Sequence, residues 1–425
     1  RIPDGYVSGH ANQARITKIK LNDPENYLYS PDVITFAREK GYFEGEDSEF
    51  NFSDAYAPLD FGAIRFCDAR VWSLFRRVNG DMDKYINYIN GESLERMPLY
   101  IKPEKKLSVH DVMHLMRDHY QGTELDMTKG IAAGPYDMPY RWRPLVWEHE
   151  GERYFHERPI STPQTAWSFV SQSRSDLPRE IGGVLWYGVD DTYFTVYVPM
   201  YASITKAPYN FAEGVASLSK FSWDSAFWVF NFVSNFAYPK FSMVIDDVQK
   251  VQNDLEGKFI SRQKSIEDAA LALYKDSPGK AIDHLTNYTN EMAEITIKRW
   301  KKLGEDLILN YIDGIAKTEF YRPKNIGYPD EFKKLIVDES GDRFKMKKLS
   351  VEIEEEYRMA LQKAEKLLND KKYSEAKKAF EKVLELKPAD ENSKKQIALI
   401  DETLAKIDEI HNEKFNSNKS DLISH

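Results

Sequence analysis

Asn12 and Gln13 lie in residues 8–16, a stretch near the start of the chain in which small residues flank one uncharged amide pair. A side-chain amide held close to packed backbone can donate hydrogen bonds to an oxyanion that develops on a carbonyl oxygen. The alternative is that both amides only satisfy backbone groups of a turn. Residues 16–19 alternate apolar and polar types, which predicts a strand after the pair. Strand alternation would aim Asn12 and Gln13 to opposite faces, so only one could serve a given site.

His110 and His114 are a second pair with a spacing that suits chemistry. Two histidines four apart share one helix face, the arrangement that binds zinc in metalloproteases, and Asp111 stands where the general base would be. The sequence predicts a helix within residues 96–121, with Ser108 as N-cap and Asp111 completing an acidic capping box. No third ligand stands at a helpful spacing, so capping or solvent-facing histidines are the alternative to a zinc hydrolase.

Several further motifs accompany the amide pair. They are an Asn-Asp-Pro-Glu-Asn segment at residues 22–26, a Ser-Pro helix start at 30–31, Ala-Arg-Val-Trp at 69–72, Gln-Ser-Arg-Ser at 172–175 and a strand at 182–189. With the Ala-Asn-Gln run of residues 11–13, they resemble the PepD-like cysteine dipeptidases of the N-terminal-nucleophile (Ntn) hydrolase superfamily. The resemblance covers residues 1–315 and implies an α+β chain that contains part of an Ntn-hydrolase αββα sandwich.

The resemblance also implies catalytic roles. Enzymes of this family use an N-terminal cysteine as nucleophile, whereas this chain begins at Arg1 and its one cysteine is Cys67. We therefore expect the C-terminal part of such an enzyme, with the nucleophile in an upstream segment of the same protein. Asn12 matches the family's oxyanion asparagine, and Arg174 matches the arginine that orients the nucleophile. From the residues alone, Arg174 could instead form a surface ion pair with Asp176 or Glu180.

Substrates of similar enzymes are dipeptides with a free amino terminus, and no metal or organic cofactor is implied. An acidic residue should hold the substrate ammonium, and the sequence leaves Asp54, Asp60 and Asp190 open for that role. Aromatic residues at 134–147 could shape a peptide-binding cleft or pack on one another in a surface loop. Breakers at 130–160 disfavour a helix there.

Composition limits the remaining classes of function. The net charge of −9 argues against a general nucleic-acid-binding protein, which would need a basic face. The most apolar segment, residues 221–238, is interrupted by polar residues and predicts a buried helix rather than a membrane span. Cys67 is predicted to be a small buried apolar residue. The resemblance favours a periplasmic or secreted protein, while the composition also allows a cytoplasmic one and leaves homo-oligomer formation open.

The resemblance and the patterning together divide the chain into five parts. The resemblance implies that 1–218 is the C-terminal part of an Ntn-hydrolase catalytic domain. Patterning predicts a helical extension at 219–315, a charged linker at 316–350, tetratricopeptide-like helices at 351–412 and a frayed tail at 413–425. Within the catalytic part we expect helices at 31–40 and 60–78 and a hairpin formed by 182–189 and 195–201. The helical extension is predicted to contain helices at 223–238, 243–263, 265–275 and 279–313.

The predicted tail resembles one tetratricopeptide repeat of about 34 residues. Its small, aromatic and proline positions are Ala364, Tyr373, Ala376, Phe380 and Pro388. The predicted helices are 354–369, 373–386 and 392–411. One repeat buries little core by itself, so the tail is expected either to pack on the catalytic part or to recruit a partner helix. The alternative to a dipeptidase is therefore a non-catalytic exported scaffold whose helical tail recruits other proteins.

Overall fold

The computed structural model describes residues 1–317 and 322–421, with the backbone alone at 412–421. The chain forms two compact units, Arg1–Lys333 and Lys334–His425. Helices are combined with four small antiparallel sheets, so the predicted α+β class is confirmed. The predicted boundary between 218 and 219 falls inside the first unit.

The described strands lie within the first unit. They are β1 (Val7–Ser8), β2 (Tyr100–Ile101), β3 (Val146–His149), β4 (Glu152–Phe155), β5 (Trp167–Ser173), β6 (Gly183–Val189), β7 (Val198–Tyr201), β8 (Ile315–Lys317) and β9 (Pro323–Asn325). The largest described sheet has the order β5-β6-β7, and Tyr187 of β6 pairs with Val198 of β7. The predicted hairpin is therefore confirmed. The strand predicted at 16–19 is wrong, because that segment makes one isolated bridge, Lys18 with Asn51.

Helices make up most of the rest of the first unit. They are α1 (Val33–Glu39), α2 (Phe52–Tyr56), a π-helix (Ala63–Asp68), α3 (Ala69–Val78), α4 (Ile86–Ile89), α5 (Val109–Leu115), α6 (Arg179–Gly182), α7 (Ala226–Ala237), α8 (Phe241–Asp276) and α9 (Pro278–Tyr311). A further helix, α10 (Asp330–Ser340), begins in the first unit and ends in the second. Short 3₁₀ turns occupy Asp47–Glu49, Gly80–Tyr85, Ile131–Tyr136, Tyr209–Phe211 and Tyr238–Lys240 in the first unit and Gly341–Phe344 in the second.

The larger core lies between the β5-β6-β7 sheet and helices α7, α8 and α9. Trp186 of β6, Phe230 of α7 and Trp300 of α9 are completely buried in it. The helices predicted as a separate extension therefore share one core with the strands. The predicted break at residue 264 is wrong because no helix breaker stands there, and Ser265 donates its hydroxyl to the Arg262 carbonyl inside a continuous α8.

Two predicted irregular regions contain regular structure. Within 130–160, β3 and β4 form a hairpin whose turn residues, Glu150 and Gly151, both have positive φ, 51° and 83°. Turns of this kind match the twist of paired strands. The predicted 316–350 linker contains the β8–β9 pair and α10. The many Pro and Gly residues that suggested a linker therefore separate short elements.

The second unit contains three consecutive helices. They are α11 (Ser350–Asn369), α12 (Tyr373–Leu386) and α13 (Glu391–Asp421), and Ala364, Ala376 and Phe380 are buried where the first two meet. The predicted bounds of α12 are confirmed, and α11 and α13 run longer than predicted. Residues 413–421 of the predicted frayed tail are helical, and 422–425 lie outside the described residues. The tetratricopeptide likeness stays a prediction.

Across residues 1–317 and 322–421, none of the helices combines the length and the apolar character that crossing a membrane requires.

Candidate active site

The segment that carries Asn12 is fastened at its start to a strand and a helix. Val7 and Ser8 of β1 pair with Ile101 and Tyr100 of β2. Gly9 follows, and a Cβ at this position would lie 2.9 Å from Val71 of α3. Only glycine allows such an approach without a shift of the helix side chain. The chain is therefore brought against α3 three residues before Asn12.

Arg15 fixes the other end of this segment through its buried side chain. Its side chain is buried and donates to the carbonyls of Gly9 (3.0 Å), Met97 (3.2 Å) and Pro98 (2.6 Å). Its Nε lies 3.8 Å from a carboxylate oxygen of Asp68, also buried. Burial lowers the pKa of Arg15, while the Asp68 charge opposes that shift. A buried cation with these acceptors fixes the loop from Gly9 to Arg15 as one rigid piece.

Asn12 and Gln13 face opposite environments. The Gln13 side chain is buried, and its Nε2 donates to the Ala57 carbonyl at 2.5 Å. Asn12 is exposed. Gln13 therefore satisfies a backbone group, which is the structural role that was the alternative for both amides. Asn12, by contrast, is free to face a ligand.

Arg70 of α3 fixes which way the Asn12 amide points. Its Nη2 donates to Asn12 Oδ1 at 2.7 Å, and its Nε donates to the Phe66 carbonyl at 2.7 Å. Because a guanidinium can only donate, the amide oxygen must face Arg70 and the Nδ2 hydrogens must face away. Within the described ranges, Nδ2 has no hydrogen-bond acceptor. Asn12 thus presents an oriented, unused donor, which is the chemical requirement for binding an oxyanion.

The helix beneath this donor is irregular. Residues Ala63–Asp68 form a π-helical turn that continues directly into α3, where one α-helix was predicted at 60–78. π-Turns inside helices occur frequently at functional sites. Cys67 lies in this turn and is 9% exposed, as its predicted buried character requires. The next residue, Asp68, accepts a hydrogen bond from the Tyr88 hydroxyl at 2.5 Å, which is a structural contact.

Arg174 lies at the end of β5 and is held by a different helix. Its Nη1 is 2.5 Å from Glu267 of α8, and the same guanidinium contacts the carbonyls of Gly182 and Ile181 at 3.4 Å. The alternative partners Asp176 and Glu180 are wrong, because the ion pair goes to Glu267. Asn12 and Arg174 share no hydrogen-bond partner within 1–317 and 322–421, so direct contacts do not join the two residues predicted to be catalytic.

The three acidic residues predicted as candidates to bind the substrate ammonium differ in their exposure to solvent. Asp190 is fully buried, accepts from Asn231 and Ser234 at 2.8 Å each, and cannot reach a ligand. Asp54 and Asp60 are both exposed and line one open cleft of about 620 Å³. Each also supports local structure, since Asp54 accepts from the Asn51 side chain and Asp60 from the backbone amide of Ala63. Of the three residues, Asp54 and Asp60 are accessible and Asp190 is not, and the ammonium-binding role itself stays a prediction.

The aromatic region from 134 onward combines both predicted behaviours. The Tyr140 ring lies 5.2 Å from that of Trp142 and 5.6 Å from that of Tyr238, so part of the region packs by its own rings and on the core. Trp142 itself is 73% exposed. In the hairpin that follows, the Phe155 ring lies 5.3 Å from that of Phe66 in the π-helix. This region therefore borders the helix that carries Arg70.

His110 and His114 lie together on α5, with ring centroids 4.4 Å apart. The predicted capping box is confirmed: the Ser108 Oγ accepts from the Asp111 amide, and the Asp111 carboxylate accepts from Ser108. Hydrogen bonds from the Ser108 backbone and side chain lower the pKa of Asp111 to about 2, so it is a poor general base. No group of three or more potential metal ligands occurs in the described part of the chain. Nothing in this geometry supports a zinc hydrolase.

The sequence matches the model of peptidase family C69 over residues 1–254, and the chain belongs to this family. A probable dipeptidase of Salmonella dublin is 31% identical over 201 residues, which cover 47% of this chain and 41% of the relative. A probable dipeptidase of Latilactobacillus sakei is 26% identical over 77% of this chain and 62% of the relative. Probable dipeptidase B of Streptococcus pyogenes serotype M1 is 24% identical over 72% and 58%. The chain thus spans less than two thirds of the length of these relatives.

Two residues of this site had no predicted role. Arg70 stands in the 69–72 motif, but its partner Asn12 is 58 positions away in sequence. Arg15 stands two positions after Gln13, between Ala14 and Ile16, and an arginine between apolar residues was a signal for a buried, paired cation.

Proposed function

We propose that this chain is part of a cysteine-type dipeptidase in which an N-terminal cysteine, supplied by a segment upstream of these residues, attacks the peptide carbonyl. Membership of peptidase family C69 and the names of the relatives support hydrolysis of dipeptides. The observation that carries the proposal is the Asn12 amide, whose Oδ1 is held by Arg70 and whose Nδ2 is exposed and unused.

The reaction would use the site as follows. The thiol attacks the carbonyl carbon of the scissile bond, and the cysteine's own α-amino group accepts the thiol proton. Negative charge then develops on the carbonyl oxygen, where Asn12 Nδ2 donates to it. Collapse of the tetrahedral intermediate breaks the C–N bond, and the departing amine takes the proton. Water hydrolyses the resulting thioester and regenerates the cysteine.

Arg70 is the cation best placed to support this chemistry. It is anchored by the Phe66 carbonyl and contacts Asn12 directly, whereas the Arg174 guanidinium is taken up by Glu267 and two carbonyls. We therefore assign the positioning role to Arg70 and retain Arg174 as the candidate that the resemblance supplied. The three-stranded sheet between helices would contribute one layer of an Ntn-hydrolase sandwich, completed by strands of the upstream segment.

Matched substitutions at Asn12 and Gln13, made in the complete protein, test this proposal. An oxyanion donor acts mainly in the transition state, so Asn12→Ala should lower kcat on the order of 100-fold or more, about 3 kcal/mol, with little change in KM. Gln13→Ala should change kcat far less, because its amide is buried against Ala57, and should instead lower the urea midpoint. Steady-state kinetics on a dipeptide series and urea unfolding measure the two effects.

Two results would overturn the proposal. If the complete wild-type protein hydrolysed no dipeptide, the non-catalytic scaffold would become the better hypothesis. If dipeptides were hydrolysed but neither substitution changed kcat, residues 8–16 would form a structural turn and the oxyanion donor would lie elsewhere.

A further inference from the structure

Arg158 carries a guanidinium that lacks an acceptor. It is half-buried, its Nε is inaccessible to solvent, and its side chain has no hydrogen-bond or ion-pair partner within 1–317 and 322–421. Burying a donor without an acceptor costs free energy, and the cost is larger for a charged group. A protein that retains such a cation at a cleft commonly uses it to bind an anionic ligand.

The backbone around Arg158 is firmly positioned. Tyr120 is completely buried and donates its hydroxyl to the Arg158 carbonyl at 2.7 Å. Three residues earlier, the Phe155 ring packs against Phe61 (5.2 Å) and Phe66 (5.3 Å) at the π-helix. The missing partner is therefore not explained by a poorly anchored loop. Arg158 is held next to the helix that carries Arg70.

Charge is concentrated around this residue. Burial lowers the pKa of Arg158, and the nearby charges of Arg70 and Arg143 lower it further. The neighbouring arginines have acceptors: Arg70 donates to Asn12, Arg143 donates to Gln164 at 3.1 Å, and the Nη1 of Arg141 donates to two backbone carbonyls. A positive cluster in a chain of net charge −9 attracts an anion locally.

We propose that Arg158 binds the free α-carboxylate of a dipeptide substrate. This inference rests on the proposed function, since it places a group of the dipeptide substrate beside the Asn12 oxyanion donor. In a dipeptide, the carboxylate stands one residue beyond the scissile bond, so its binding group must lie beside the oxyanion donor. Arg158 lies near Arg70, which contacts Asn12. A guanidinium can donate two parallel hydrogen bonds to a carboxylate.

This assignment predicts a preference for dipeptides over longer peptides. In a tripeptide cleaved at the same bond, a neutral peptide group replaces the carboxylate, and the next residue extends toward Arg158. The guanidinium would then remain without its anionic acceptor, and a site left with an unpaired buried donor discriminates strongly.

The test compares a dipeptide with its C-terminal amide in the complete protein. Both substrates have the same scissile bond, and only the dipeptide carries the carboxylate. Arg158→Gln should lower kcat/KM for the dipeptide on the order of 10- to 100-fold, mostly through KM, and leave the amide within a few-fold of wild type. Arg158→Lys should restore part of the dipeptide activity, because the charge returns without the planar pair of donors.

Arg143→Gln is the matched control, since this neighbouring arginine already has Gln164 as acceptor. It should change both substrates by less than Arg158→Gln changes the dipeptide. An equal loss on the dipeptide and the amide, or a lowered urea midpoint with unchanged selectivity, would overturn the inference and assign Arg158 to an ion pair with an upstream residue. Hydrolysis of neither substrate by wild type would instead refute the proposed function.

Discussion

The open region, formed by Asn12, Arg70 and Arg158, differs from the closed core of the β5-β6-β7 sheet, which has Arg174 at one end and Asp190 at the other, in how its arginines are paired. In the open region, the Asn12 Nδ2 and the Arg158 guanidinium have no acceptor within the described residues. In the closed region, Glu267 pairs with Arg174 and also accepts a hydrogen bond from Tyr201 at 3.0 Å. Both regions contain an arginine beside polar residues, yet the Arg174 guanidinium is paired and the Arg158 guanidinium is not.

The closed region contains a second buried ion pair, whose charged groups also have hydrogen-bond partners. Arg117 and Glu256 are both buried and meet through two hydrogen bonds of 2.6 and 3.0 Å. Arg117 also donates to the carbonyls of Thr192 and Thr195, and Glu256 accepts from the Tyr197 amide. The Arg117–Glu256 pair connects α8 to the segment after α5, and the Arg174–Glu267 pair connects α8 to the end of β5. The comparison shows how a candidate site differs from a structural ion pair. A candidate site has a hydrogen-bond donor that is accessible and has no acceptor.

Among substitutions that distinguish the two regions, Arg174→Ala should have the largest effect on the free energy of unfolding. Removing one partner of a largely buried pair leaves Glu267 without its cation, which should lower the free energy of unfolding by about 2 to 3 kcal/mol. Urea unfolding of the complete protein measures this loss, and kcat per folded molecule should stay within about twofold, the range expected when the transition state is untouched.

Arg179→Ala is the matched control, because this arginine is exposed and should change stability by less than about 0.5 kcal/mol. A hundredfold fall in kcat for Arg174→Ala at an unchanged urea midpoint would break the comparison. Arg174 would then be the catalytic arginine that the family resemblance implies.

Asp190→Asn tests the closed region through pH. Burial raises the pKa of Asp190 to about 7, even though hydrogen bonds from Asn231 and Ser234 favour ionisation. Above the ordinary aspartate pKa only the unfolded state loses the proton, so this group's contribution to stability falls as pH rises toward 7 and is level above that. Between pH 5 and 8, wild type should therefore lose on the order of 2 kcal/mol relative to Asp190→Asn.

Asparagine suits this position because Asp190 has a φ of 66°, a conformation that asparagine tolerates. Urea unfolding at several pH values measures the difference, with Asp176→Asn as the exposed control. A constant difference between wild type and Asp190→Asn across this pH range would show that Asp190 ionises normally despite its burial.

Cys67→Ala should give the smallest effect. Cys67 is buried in the π-helix, so removing its sulfur should cost about 1 kcal/mol of stability through lost packing. Steady-state kinetics of the complete protein should give a kcat close to wild type. A large loss of kcat without a change in the urea midpoint would place a reactive thiol inside the open region and contradict the upstream nucleophile.

Local sequence alone determined the features that depend on near neighbours. Ser108 and Asp111 are three positions apart, and their reciprocal capping box formed as predicted. The β6–β7 hairpin and the bounds of α12 were equally accessible, because strand alternation, turn residues and helical periodicity act over a few residues. The opposite facing of Asn12 and Gln13 was also predictable, although no extended strand produces it.

The tertiary structure decided which polar groups meet. Glu267, the ion-pair partner of Arg174, is 93 positions away, whereas the partners predicted from sequence were the neighbouring Asp176 and Glu180. Arg70 reaches Asn12 across 58 positions, and Arg15 reaches Met97 across 82. Periodicity carries no information at these separations, because the partners are set by how helices and loops pack. The unused donors of Asn12 and Arg158 likewise depend on which residues the fold brings beside them.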